Sequence, residues 1–172
     1  MSSDEELLLQ ASRFRVVRVT QETERGPRHR EVVRHPGAVT VLPLLDDGRV
    51  CLIRNFRPAV GRTLVELPAG TLEPNEPPRE TAHRELIEET GYRAQSMAPL
   101  GEFFLSPGIL DERMHLFVAT GLTAGEAERE PGEIIENLVV SWDEALAMVD
   151  RGEIEDAKTI VALLQYDRRR ID

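Results

Sequence analysis

Residues 70–92 read GTLEPNEPPRETAHRELIEETGY. Glu85, Glu88 and Glu89 fall at i, i+3 and i+4 of one predicted helix, a spacing that stacks three carboxylates on a single face. Like charges so placed cost an isolated helix roughly 0.2 to 0.5 kcal/mol per pair, and a helix that only needed solvent contact gains nothing from clustering them. A bound hard cation removes the penalty. Oxygen-only carboxylate ligands suit Mg2+ or Mn2+, and magnesium is usually held by a few carboxylates together with substrate phosphates.

Local signals bound this helix. Pro77 and Pro78 fit its entry, where the first amides have no intrahelical partner to lose, and Gly91 sits where a left-handed residue closes a helix. Ala82 and Leu86, four apart, are predicted to face the core. Glu80, Arg84 and Glu88 form a second row on the flank, so Arg84 is placed to orient a neighbouring carboxylate. Glu85 and Glu89 are the expected bridging metal ligands, with Glu88 completing the set.

The whole stretch resembles the box of the Nudix hydrolases, G-x5-E-x7-R-E-U-x-E-E-x-G-U with U a bulky apolar residue. Gly70, Glu76, Arg84, Glu85, Leu86, Glu88, Glu89, Gly91 and Tyr92 occupy its specified positions. Nine positions in one register make a chance match improbable. The resemblance implies an α/β (α+β) Nudix fold, a mixed sheet between helices, and hydrolysis of a nucleoside diphosphate linked to another group. The flanking passages RNFRPAVGRTLVELPAG (54–70), FFLSPGILDERMHLFVA (103–119) and GEIEDAKTIVALL (152–164) resemble the ADP-ribose pyrophosphatase branch of that family. That branch implies Mg2+-dependent cleavage of ADP-ribose to AMP and ribose 5-phosphate. Another nucleoside diphosphate sugar such as GDP-mannose is the alternative substrate, and a non-catalytic nucleotide-sugar-binding protein is the reading from a different class.

The same resemblance carries further residues. The backbone carbonyl of Ala69 is implied as a metal ligand beside Gly70, where the missing side chain lets the backbone approach the ion. Glu133 is implied as the loop general base, with Glu136 or a box glutamate as rivals. Arg54 and Arg57 offer planar donors for phosphate oxygens, although plain surface ion pairs explain them equally well. Glu66 and the 106–112 loop, with Ser106, Gly108, Asp111 and Glu112, are implied to contact the nucleoside and terminal ribose.

Composition agrees with a small enzyme. The chain has 172 residues and a net charge of -10, from 21 Lys and Arg against 31 Asp and Glu. An acidic balance argues against nucleic acid or an anionic membrane as the main partner. Cys51, the lone cysteine, is expected to be an inert core residue in a reducing compartment, so the protein is read as cytoplasmic. No run of residues approaches the roughly 18 apolar positions a membrane span needs.

Residues 1–36 are read as an N-terminal extension carrying a hairpin, with strands at 14–21 and 29–35, and 37–172 as the Nudix domain. The branch is commonly a homodimer, and this hairpin is the segment available to reach a partner. Further strands are expected at 38–45 and 49–56 around the Asp46-Asp47-Gly48 turn, then at 63–67, 100–105, 113–120 and 138–142. Ser141 and Asp156 are expected to cap the last two helices.

Overall fold

The structure is a computed structural model, and it describes residues 5–129, 132 and 134–170. In chain order the strands and helices are β1 (Glu5–Gln10), β2 (Arg15–Gln21), β3 (Arg28–Arg34), β4 (Ala38–Pro43), β5 (Val50–Arg57), β6 (Arg62–Glu66) and β7 (Ala69–Thr71). After these come α1 (Pro78–Thr90), β8 (Arg93–Phe104), β9 (Arg113–Thr123), β10 (Ile135–Val140), α2 (Trp142–Asp150) and α3 (Ala157–Arg170).

The central sheet has the order β7-β4-β9-β8 and is mixed, because β4 pairs parallel with β9 and antiparallel with β7. Every residue of β4 is buried, as expected of a strand covered on both faces. Side chains alternate across it. Val39 and Val41 on β4, with Phe117 and Ala119 on β9 and Met97 on β8, pack with Ala82 and Leu86 of α1. Ala38 and Leu42, with Met114, Leu116 and Val118, face a larger core with Trp142, Ala145, Met148, Ala162 and Leu163 of α2 and α3. A mixed sheet between helices is therefore what forms. A second sheet, β10-β5-β6, supplies Val50 and Leu52 to that larger core.

Several sequence expectations are refined. The Asp46-Asp47-Gly48 turn forms, with Gly48 at φ 82, but its flanking strands enter different sheets and meet at the Leu44–Val50 bridge and the Leu45 N–H to Arg49 carbonyl bond. The N-terminal element has three strands, β1-β2-β3, because EELLLQ pairs antiparallel with β2. Strand β8 begins seven residues before the expected 100, since the stretch starts at Arg93. Pro99 hides it in the sequence, and the structure tolerates that proline beside a register shift on an edge strand. Trp142 opens α2 instead of ending a strand, and Ser141 caps that helix by accepting the Glu144 N–H at 3.2 Å. Cys51 is buried, and burial pushes its thiol up to about 12.

Leu86 is fully buried where α1 meets the sheet. Leu86→Ala is expected to lower stability by about 2 to 5 kcal/mol, measured by urea unfolding. A change below about 1 kcal/mol would show that the helix is not anchored there.

Candidate active site

Helix α1 is aimed by its ends and its apolar face. Pro77 (φ -64, ψ 139) leads into Pro78 at the first turn, and Gly91 ends the helix at φ 79 with its N–H donating to the Ile87 carbonyl. With Ala82 and Leu86 turned into the core, Glu85, Glu88 and Glu89 face β7 and a cleft of about 550 Å³. Glu85 and Glu89 are 8% and 4% exposed.

Two contacts fix this acidic face against β7. The Ala69 N–H donates to Glu89 Oε2 at 2.9 Å. Gly70 lies so close to Glu85 that an added Cβ would stand 1.8 Å from Oε1, so only glycine leaves room for the carboxylate. Arg84 gathers the rest. Its Nε and Nη2 donate to the two Glu76 oxygens at 3.1 and 3.0 Å, and its Nη1 donates to Glu85 Oε1 at 2.8 Å and Glu88 Oε2 at 3.0 Å. The hydrogen bonds to Glu76 do most to raise the guanidinium pKa, and in return they hold the Glu76 carboxyl below its usual range.

Among the described residues, no three His, Cys, Asp or Glu side chains already form a metal cage; Arg84 Nη1 bonds to both Glu85 and Glu88. The donor set still fits a hard divalent ion, because carboxylate oxygens converge on one cleft beside a backbone cleared by Gly70.

The cleft also carries cations. Arg57 and Lys158 both line the cleft. Arg57 donates from Nε to Glu66 Oε1 at 2.8 Å and from Nη2 to Glu66 Oε2 at 2.6 Å, while Lys158 Nζ donates to the same Oε2 at 2.7 Å. Lys158 also pairs with Asp156 Oδ1 at 2.9 Å. Asp156 Oδ2 accepts the Thr159 N–H at 3.0 Å, capping α3 as expected.

The structure brings Ala69, Glu85, Glu88, Glu89, Arg57 and Glu112 together around the cleft. Glu66 lies beneath the wall at 1% exposure. Arg54 is exposed on the face of β5 opposite Arg57 and stands in register with Glu136 of β10. Ser106 and Gly108 stand outside the cleft lining, the Ser106 carbonyl accepting the Ile109 and Leu110 N–H groups. Asp111 turns to β3 instead, accepting the His35 N–H at 2.8 Å and Arg34 Nη1 at 3.0 Å. Glu133 lies outside the described residues. Asn55, Asp156 and Lys158 line the cleft without having been singled out as ligand contacts. The available signal for Lys158 was a charge four residues before the buried Ala162, on the apolar side of α3.

A cleft lined by a carboxylate helix together with Arg57 and Lys158, set on a mixed sheet between helices, defines a metal-dependent phosphohydrolase of Nudix type. Residues 34–163 match the NUDIX domain, and the chain belongs to the Nudix family. It is 45% identical to an ADP-ribose pyrophosphatase of Bacillus subtilis (strain 168), over 80% of this chain and 75% of that protein. It is 37% identical to a GDP-mannose pyrophosphatase of Cronobacter sakazakii, over 82% of each. The crystal structure of an ADP compounds hydrolase matches its fold with a TM-score of 0.82 at 22% identity, covering 96% of this chain and 90% of that one.

Burial alone would raise the Glu66 carboxyl, but the Arg57 hydrogen bond and the Lys158 charge outweigh it and hold it below its ordinary 4.5. A carboxyl depressed in the fold stabilises fully above its unfolded value and loses that contribution as pH falls through the folded one. Urea unfolding below pH 4.5 is therefore expected to show a shallower loss of stability in Glu66→Gln than in the parent chain. Parallel losses would contradict the pairing.

Proposed function

We propose that the protein hydrolyses the diphosphate of ADP-ribose, adding water across one P–O bond to release AMP and ribose 5-phosphate. The observation that carries this is the cleft itself, which brings Glu85, Glu88 and Glu89 together with Arg57 and Lys158. Identity to an ADP-ribose pyrophosphatase over most of both chains supports the substrate. The GDP-mannose pyrophosphatase relative supports a second reading, another nucleoside diphosphate sugar with the same chemistry.

Glu85, Glu89 and Glu88, with the Ala69 carbonyl, are the residues to hold Mg2+, with Mn2+ as the alternative. Such ions neutralise phosphate oxygens and acidify a bound water. Arg84 keeps the ligand carboxylates oriented by hydrogen bonds of 2.8 and 3.0 Å to Glu85 and Glu88. Arg57 supplies a planar donor edge for phosphate oxygens. Glu112 lines the cleft as a contact for the sugar hydroxyls, and Asp111 holds its loop to β3 through His35 and Arg34. We assign proton removal from the attacking water to Glu133 on its place in the sequence, with Glu89 as the rival.

The N-terminal sheet supports a homodimer. Its β1 is exposed along its length, with Leu7 and Leu9 57% and 52% exposed, and covering such a strand with a second copy would remove apolar surface from water. The lone buried cysteine suits a reducing, cytoplasmic setting.

Glu89→Gln is expected to lower turnover by about a hundredfold or more while the fold survives, with AMP release followed chromatographically at saturating magnesium. Unchanged turnover would sink the proposal, and a faster release of products from GDP-mannose than from ADP-ribose would move it to the second substrate. Sedimentation is expected to give a dimer. A fully active monomer would remove that part.

A further inference from the structure

The two cations on the cleft wall are held by a carboxylate that stands behind that wall. Glu66 sits at the end of β6, opposite Ile53 of β5, and only 1% of it is exposed. Its oxygens receive the Arg57 fork and Lys158 Nζ, and 92 residues of sequence separate Glu66 from Lys158. The family resemblance implies that Glu66 touches the substrate. Its burial and its bonds leave it a different task.

We infer that Glu66 and Lys158 are positioning residues: they fix the plane of the Arg57 guanidinium toward the substrate diphosphate, and neither needs to touch the substrate to do so. The inference rests on the diphosphate hydrolysis proposed above. An arginine side chain gives up rotamer freedom when it is held in one geometry. A bidentate bond to a buried carboxylate fixes that geometry before ligand arrives, so binding loses less entropy. The fork uses Nε and Nη2 and leaves Nη1 outside it. Lys158 completes the device by gripping Glu66 Oε2 from α3 while Asp156 holds Lys158 in turn. Two acids and two bases cancel in charge, so the cluster holds as a paired network in the unliganded protein.

Steady-state kinetics with ADP-ribose at saturating magnesium would compare Glu66→Gln, Lys158→Met, Arg57→Ala and the two double variants that include Arg57→Ala. Glu66→Gln is expected to raise KM about tenfold and to keep kcat within about threefold, because the loss falls on binding through Arg57. In the Arg57→Ala background the same change is expected to add nothing, since Glu66 has no other route to the substrate. Lys158→Met is expected to raise KM about threefold alone and to be silent in that background. Effects that multiply in either double variant, or a fall in kcat with KM unmoved, overturn the inference. If Glu66→Gln fails to fold, Glu66→Asp keeps the charge, draws the fork back by one methylene and is held to the same double-variant comparison. Should the parent chain release no AMP, the proposed activity fails by itself. The same cycle read as ADP-ribose affinity by calorimetry then decides the positioning role, with silence in the Arg57→Ala background expected and additivity overturning it.

Discussion

One guanidinium keeps the acidic face of α1 in place. Arg84 spreads its donors over Glu76, Glu85 and Glu88, and the Ala69 N–H takes up Glu89. Without those bonds the glutamates would repel one another across about one helical turn. The bonds exist only because Ala82 and Leu86 dock on β4, β8 and β9 and so turn the charged face toward β7. Gly70 is part of the same constraint, since a side chain there would occupy the space of the Glu85 carboxylate. Core packing and site geometry therefore stand or fall together along this helix.

A second constraint is electrostatic. A chain of net charge -10 repels a diphosphate at long range, so affinity must come from local charge. The cleft lining includes Arg57 and Lys158, which share Glu66 as a partner. Partners beside each cation also satisfy the rule that buried charges are paired. The Arg57 guanidinium at this cleft is held by its two bonds to Glu66.

Much of the fold could be read from local patterns. The limits of α1 followed from Pro77, Pro78 and Gly91, and the Ser141 cap from its spacing to Glu144. Strands were harder, because pairing partners lie far apart in sequence. EELLLQ became β1 only by pairing with β2, and the three residues of β7 are too few to show any alternation. The turn at Asp46-Asp47-Gly48 was legible, but the divergence of its strands into two sheets was set by β9 pairing parallel to β4. Within the site, Arg54 and Arg57 looked equivalent as donors. Their three-residue separation on a strand places them on opposite faces, and only Arg57 reaches the cleft.

The sequence by itself determined the acidic helix face, its length and its company of Arg84 and Gly70, because helical spacing and backbone permissiveness act over a few residues. Only the tertiary structure decided what confronts that face. Glu66 and Lys158 are 92 residues apart and meet because α3 packs back against the sheets through Leu163 and Ala162. Burial pairs Glu66 with Arg57 and Lys158, since a carboxylate removed from water must satisfy its charge with whatever cations the fold brings to it.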